Sequence, residues 1–599
     1  MRFANLNIFA ALSAAALLNA AAETLPFAAR GFEASKRAGI ALTPIGAETW
    51  DFSGVGEVRI AVSNASDRAA RVRVAVFGEG MSLDAKPKAP CRMSRVPPHA
   101  VRTIAVPLND TPYATDAPVA LTGMQGKVPA LDDLPDFSKT GRIEVFADAT
   151  ERVIPVVLGV ETAFAARKPK IIPADGFFPF VDCYGQFRHD DWPGKIHSDA
   201  ELAESRRAEA AWLDAHADGP IPGADRFGGW AGGPQLAATG FFRTEKVECK
   251  WWFVDPDGHL FWSLGVCSVY PGLPTRVRGR EAYFEGRADD SDAWPLRENL
   301  VRKYGEDLRA PYAGTAHRRF RAWGINTIGN WHHDYVWQMR RTPYCACIDF
   351  SSRTILPSWD GSKAHGRAVP DVFSPKFAED IAAEAEKWAA KIKDDPWCLG
   401  VFVDNELGWD GCGTNVAEIA EAYYSTVRAA LRKSLPNHLY LGSRIHNDFG
   451  EIDAVWRAAA RHCDVVSNNL YDREPSYDLP PGASDKPILI GEFHFGAKGR
   501  GNLNGGLVAA FDEQERGRLF RQYAGKCLDN PRYVGCHWFQ YQDQPLTGRF
   551  DGENFACGFV SICDVPYPEL VEACQETAAQ MYPRHLGKGE SGTGTLEAQ

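Results

Sequence analysis

CLGVFVDNE, residues 398–406, is a short apolar run that ends abruptly in two carboxylates around an asparagine. It is too short for an isolated helix and is closed by polar residues, so it reads as a strand buried on both faces. Seven further stretches share the pattern: LFWSLGVCSV (260–269), INTIGNW (325–331), YCACIDF (344–350), HLYLGSRI (438–445), CDVVSNNLY (463–471), PILIGEF (487–493) and VGCHWFQY (534–541). Helical segments lie between them, among them KFAEDIAAEAEKWAAKIKDD (376–395) and NVAEIAEAYYSTVRAALRKSL (415–435), with apolar residues at three- and four-residue steps. Doubly buried strands separated by helices predict parallel β/α units, and eight of them fit a closed (β/α)8 TIM barrel over residues 240–585. An open doubly wound sheet would want a glycine-rich phosphate loop after a strand, and none is present.

Upstream the period changes. TWDFSGVGEVRIAVSNAS, ARVRVAVFG, VRTIAVPL and RIEVFADATERVIPVVLGV alternate apolar and polar residues, punctuated by Asn, Asp and Gly. This predicts an antiparallel β-sandwich over residues 24–165, of the carbohydrate-binding-module type. ARKPKIIPADGFFP opens a linker and cleft-covering segment over 166–239. At the other end, 586–599 is rich in Gly and Ser and reads as a flexible tail. Residues 1–22 carry Arg2, the apolar run IFAALSAAALLN (8–19) and Ala20-Ala21-Ala22, which predicts a secretory signal peptide and a secreted or periplasmic protein. No other stretch approaches the length of a membrane span, so no membrane insertion is expected.

Composition narrows the function. The 599 residues are 45% hydrophobic and 24% charged, which excludes a disordered chain or a fibre. The 66 Lys+Arg against 77 Asp+Glu leave a net charge of −11 with no basic run, which argues against a nucleic-acid partner. The 17 Trp suit stacking on sugar rings as well as core packing. Of the 14 Cys, residues 267, 345, 347, 398 and 536 fall in the apolar strands and read as small buried hydrophobes; no C-x-x-C pair or zinc spacing occurs.

In a barrel of this kind the catalytic groups sit at the C-terminal ends of strands. That rule selects Glu406 on the fourth strand and Glu492 on the seventh, where a buried charge is costly without a purpose. Two carboxylates meeting across one mouth suit glycoside hydrolysis, in which one is protonated and the other ionised. Asn330, Trp331 and His332 end the second strand, His446 and His494 follow the fifth and seventh, and Trp409 lies just past Glu406; all are candidate substrate contacts. Retaining hydrolysis needs no cofactor and no metal, although His332-His333-Asp334 mimics a metal cluster.

The Asn-Glu pair on strand four and the Glu on strand seven resemble the clan of retaining (β/α)8 glycoside hydrolases. VDCYGQFRHDDWPGKIHS (181–198), GFFRTEKVECKWWFVDPDGHLFWSLGV (240–266) and NFACGFVSICDVPYPELVEA (554–573) resemble glycoside hydrolase family 50, the β-agarases, over roughly residues 180–580. Cys249 departs from the Gly that the family usually has before Lys-Trp-Trp. The resemblance implies that Glu406 is the acid/base, Glu492 the nucleophile, and Asn405 a partner of the sugar hydroxyl beside the anomeric centre. It implies a hydrogen bond from Tyr471 to the nucleophile and a sugar platform at Trp538. It implies that 181–198 folds over the cleft, and Lys498 and Arg500 after strand seven could meet an anionic or sulfated sugar. The expected partner is a galactose-containing polysaccharide or oligosaccharide, agarose above all. A β-galactosidase, a hydrolase of another algal or host glycan, and a non-catalytic sugar-binding protein are the alternatives. Nothing in the sequence sets the oligomeric state.

Overall fold

The computed structural model describes residues 23–587, apart from 35–36, 149–152, 154, 288–289, 350–353, 365 and 447–451. The signal-peptide reading of 1–22 and the tail from residue 588 lie outside the described residues. The chain divides into two compact units, Met1–Pro112 with Asp132–Lys170, and Tyr113–Leu131 with Ile171–Gln599.

The first unit is built from two antiparallel sheets. In the four-stranded sheet Val55–Ser63 lies between Val156–Ala165 and Val101–Pro107; in the five-stranded sheet Arg142–Asp148 lies between Arg37–Pro44 and Ala70–Phe77. The alternation in sequence produces the burial: Val58, Ile60 and Val62 of the first sheet and Val72, Val74 and Val145 of the second are fully buried in one cluster.

The second unit is mixed α/β around a curled, nine-stranded parallel sheet. Its order is Leu439–Tyr440, Cys398–Val403, Tyr344–Ile348, Thr327–Ile328, Ser263–Val266, Tyr533–Trp538, Ile488–Phe493, Val466–Asn469, Ile445–His446. All eight apolar stretches read from the sequence contribute to it. Its two outer strands come from one stretch of chain, residues 439–446, so the sheet begins and ends on the same segment. Small residues let neighbouring elements approach closely: Gly265, Gly400 and Gly535 each face a neighbour that a Cβ would strike at under 3 Å. The helices Pro375–Ile392 and Val416–Ser434 follow the periodic segments closely. The first is capped by Ser374 and carries Pro375 at its first turn, the expected start signals. At the N-terminal end of the strands a second sheet, including Lys250–Val254 and His259–Phe261, packs Phe253 and Phe261 against Leu399, Phe402 and Leu489.

Residues 113–131 belong to this second unit. Tyr113 donates to Asp190 Oδ2 at 2.9 Å and accepts from the Gly501 amide at 2.9 Å. Asn554 brackets Gly126, accepting its N–H at 2.8 Å and donating to its carbonyl at 2.9 Å. Within 181–198 the polar side chains hold the segment itself: Gln186 donates to Asp182 and to the Ile196 carbonyl, and Lys195 donates to the carbonyls of Phe187 and Asp190. All 14 cysteines are free thiols; Cys267, Cys345, Cys398 and Cys536 are buried and Cys347 partly so. No helix among the described residues is long and apolar enough to cross a membrane.

Candidate active site

The C-terminal ends of the strands do not stop in ordinary backbone. Trp331, Asp404, Glu406 and Arg444 all take left-handed φ values, of 59, 61, 54 and 54°. Each costs on the order of 1–2 kcal/mol in a non-glycine residue, and such strain concentrates at functional sites. The strand Cys398–Val403 is anchored as it turns: Asp404 is fully buried and accepts the Tyr423 hydroxyl at 2.8 Å. The left-handed turns at Asp404 and Glu406 then set Asn405 and Glu406 toward strands five to seven.

Glu406, Glu492, Asn405 and Tyr471 are brought together. Glu492 is buried, and each of its oxygens has one donor: Arg444 Nη2 at 2.6 Å from Oε1, and the Tyr471 hydroxyl on Oε2. Arg444 Nε donates to Asn405 Oδ1 at 2.8 Å. Asn469 Nδ2 donates to Glu406 Oε1 at 2.7 Å and to Asn405 Oδ1 at 3.2 Å. One connected chain of hydrogen bonds therefore joins the two glutamates through Arg444, Asn405 and Asn469. Sequence reasoning missed Arg444 and Asn469. The rule that selected the glutamates applied equally to Arg444, a lone cation closing the apolar fifth strand.

The two carboxylates sit in different surroundings. Glu492 is enclosed, and burial pushes its pKa above the ordinary carboxylate range; Arg444 pulls it down, and the charge of Glu406 pushes it up again. Burial works against the charge on Arg444, but Glu492 outweighs it and the guanidinium stays cationic. Burial first, then Glu492 and Glu406, hold the Tyr471 hydroxyl well above its usual value, so it remains a donor. Glu406 is half-buried. Gly491 leaves room for this arrangement: a Cβ there would lie 2.7 Å from Asn469 Oδ1 and 3.1 Å from Arg444 Nη1.

The aromatic and histidine candidates divide. Trp331 is half-buried, with the Arg444 guanidinium 4.9 Å from its ring. His446 is tilted on Tyr471 at 5.9 Å. Asn330 is buried against Cys347 Sγ at 3.3 Å. His332 turns to the Cys345 carbonyl at 2.7 Å, and burial lowers its pKa to about 4, so it is neutral. Both nitrogens of His494 are taken, by the Phe539 carbonyl at 3.0 Å and the Leu507 amide at 2.9 Å. It supports the Tyr471 ring edge-on at 4.9 Å and has no nitrogen left for a ligand.

Two aromatic expectations are corrected. Trp538 is fully buried among Phe493, Phe520 and Phe559, with Nε1 donating to the Cys557 carbonyl at 2.7 Å. It faces the helix layer because its neighbour His537 occupies the opposite face of the strand, 2.8 Å from Ser263 Oγ. Trp409 is likewise fully buried, stacked on Tyr424 at 6.0 Å. Neither ring can meet a sugar. Arg500 is committed to Glu569, so this cation is not waiting for an anionic sugar. Among the described residues, one group of His and Asp side chains comes close enough to share a metal ion: Asp225, Asp255 and His259. It lies at the N-terminal end of the strands, and His259 Nδ1 is 2.7 Å from Asp225 Oδ2.

No family model matches the chain. It is 32% identical over 551 residues to β-agarase B of Vibrio sp. (strain JT0107), covering 70% of this chain and 57% of that protein. It is 26% identical over 665 residues to β-agarase A of the same organism, covering 90% of this chain and 66% of that one. The chain thus spans under two thirds of the length of these curated relatives. Among solved structures, an agarase, AgWH50C, is 27% identical with a TM-score of 0.67, covering 95% of this chain and 98% of that one. An exo-β-agarase, 24% identical with a TM-score of 0.69, covers 96% and 98% and shares the fold.

Proposed function

We propose that the chain is a family 50 retaining glycoside hydrolase that cleaves agarose-type galactan by double displacement, a reading supported by its likeness to β-agarase B and to the agarase structure AgWH50C. The observation that carries this reading is the hydrogen-bonded chain from Glu492 through Arg444, Asn405 and Asn469 to Glu406. It gives two carboxylates one mouth and two environments, which is what separates an acid from a nucleophile.

In the first step Glu406 protonates the leaving glycosidic oxygen while a Glu492 oxygen attacks the anomeric carbon. Arg444 and Tyr471 hold one Glu492 oxygen each, which orients the carboxylate and favours its ionised form against the cost of burial. The glycosyl ester that forms has lost the anionic charge. In the second step Glu406, now ionised, takes a proton from water, the water attacks the anomeric carbon, and Glu492 departs as a carboxylate that Arg444 and Tyr471 receive. Two inversions give net retention. Such chemistry needs carboxyl groups about 5–5.5 Å apart. Asn405, with its carbonyl oxygen occupied, keeps its amide N–H groups to donate to the sugar hydroxyl beside the anomeric centre. A protein that only bound sugar would have no need of a buried, cation-paired carboxylate beside a second glutamate.

The same reading extends to architecture. The parallel sheet is proposed to close as a (β/α)8 barrel, with 438–446 as its fifth strand, and the two antiparallel sheets to form an accessory sandwich, since no paired carboxylates follow their strands. Export rests on the sequence of residues 1–22.

Incubation of the protein with agarose, porphyran and carrageenan, with products identified by mass spectrometry, tests the substrate. Trapping with a 2-deoxy-2-fluoro galactoside tests the mechanism: the label should map to the peptide holding Glu492. No cleavage of any galactan, or a label elsewhere, would overturn the proposal.

A further inference from the structure

Beyond the strand Tyr533–Trp538 the chain folds back as residues 539–556, and its tip is the turn Arg549–Glu553. The turn is closed twice through the backbone, from the Arg549 amide to the Glu553 carbonyl at 2.9 Å and from the Gly552 amide to the Arg549 carbonyl at 2.9 Å. Arg549 clamps it again, donating to Asp551 at 2.9–3.1 Å and pairing with Glu553 at 2.5 Å. Gln544 ties Glu553 to the strand's exit at 3.1 Å, and the Gln125 amide holds the Gly552 carbonyl at 2.8 Å. On this braced turn Phe550 stands 85% exposed, the most exposed of the large apolar side chains among the described residues. The Arg549 guanidinium sits 5.2 Å from its ring centre.

The turn is on the catalytic side. Phe555, two residues beyond Glu553, packs edge-on to His494 at 5.7 Å, His494 packs edge-on to Tyr471 at 4.9 Å, and Tyr471 donates to Glu492. Leu507, 54% exposed, reaches the same rim through its amide bond to His494. A flat apolar ring that rigid bonding keeps in water, on the turn that leads into Phe555, offers what the C–H face of a pyranose requires.

We propose that Phe550 is a stacking platform for a sugar ring of the bound glycan, at a position beyond those flanking the scissile bond. This rests on the hydrolase reading above, and its ligand is a pyranose of the same galactan chain. The platform acts only on chains long enough to reach it.

The test is a length series of agaro-oligosaccharides with wild type, Phe550→Ala and Phe550→Trp. Phe550→Ala should raise KM about 3–10-fold on the longer chains, the size of one aromatic stacking contact. KM on the shortest cleaved chain, and kcat throughout, should stay at wild-type values. Phe550→Trp should restore the long-chain KM. Thermal melts should coincide, since the ring is exposed. An unchanged KM at every length would overturn the platform, as would an equal rise on the shortest chain, which would place the effect in the catalytic centre. A wild type that cleaves no galactose-based chain would overturn the hydrolase reading, and the platform with it.

Discussion

Arg444 Nη2 lies 2.6 Å from Glu492 Oε1, and both side chains are enclosed. The pair spans strands five and seven and is the one full charge that faces the proposed nucleophile at hydrogen-bond distance among the described residues. A buried ion pair of this kind gains little net stability, because desolvation offsets the attraction, so its value is better sought in chemistry. In the proposed double displacement the guanidinium would make Glu492 a weaker nucleophile in the first step and a better leaving group in the second.

Arg444→Met should therefore lower kcat/KM about 100-fold, comparable to losing one preorganised donor, and should move the acid limb of the pH profile to higher pH. The sign follows from the pair: Arg444 lowers the Glu492 pKa, and removing it lets burial raise that pKa further, so ionised Glu492 is lost at a higher pH. The same raised pKa makes the variant's stability fall as pH rises through it, so its melting temperature should drop more at pH 8 than at pH 5. Arg444→Lys keeps a charge and should hold the acid limb nearer to wild type. An unmoved limb in Arg444→Met would show that Arg444 merely packs.

Gly491 tests the crowding around that pair. A methyl group there would meet Asn469 Oδ1 at 2.7 Å and Arg444 Nη1 at 3.1 Å, and neither can retreat without breaking a bond to Asn405 or Glu406. Gly491→Ala should cut kcat at least tenfold while the far-ultraviolet dichroism is unchanged. Wild-type kcat would mean that the network tolerates displacement.

Asp543 gives a stability prediction away from the pair. It is buried, accepting the Tyr567 hydroxyl at 2.6 Å and the Gly558 amide at 2.7 Å, and burial raises its pKa to about 7 against the pull of Arg516. A carboxyl raised from about 3.9 in the unfolded chain contributes stability that is complete below that value and lost as pH rises toward 7. Asp543→Asn does not titrate. Its melting temperature relative to wild type should climb between pH 4 and 7 and then level. A constant gap would show that Arg516 keeps Asp543 ionised throughout.

Much of this was legible because apolar runs and polar stops are local. The eight strands, the flanking helices, and the placing of Glu406 and Glu492 at strand ends follow from patterns a few residues long. What was not legible depends on which way a strand faces and on what lies across it. His537 and Trp538 are neighbours in an apolar run, and their sequence does not say which turns inward; the tryptophan turned out. Arg444 meets Glu492 across 48 residues, and Asn469 meets Glu406 across 63, which no local period encodes. The left-handed turns at Asp404, Glu406 and Arg444 fall on residues other than glycine, so composition gave no sign of them.

The two glutamates should fail differently when substituted. Glu492→Gln removes the nucleophile and should abolish turnover of every substrate. Glu406→Gln removes proton donation, which matters most when the leaving group is another sugar and least when it is an activated aryl group that departs without protonation. Glycosyl-enzyme formation from an aryl galactoside should therefore survive in Glu406→Gln while galactan cleavage is lost. In Glu406→Ala the glycosyl-enzyme then waits, since no base activates water. Azide needs no base and fits the space the side chain has left, so it should restore turnover of the aryl substrate and give a glycosyl azide of retained configuration. Azide should do nothing of the kind for the galactan, whose first step still lacks an acid. If both substrates suffer equally in Glu406→Gln, or the azide product is inverted, the acid/base and nucleophile are assigned the wrong way round.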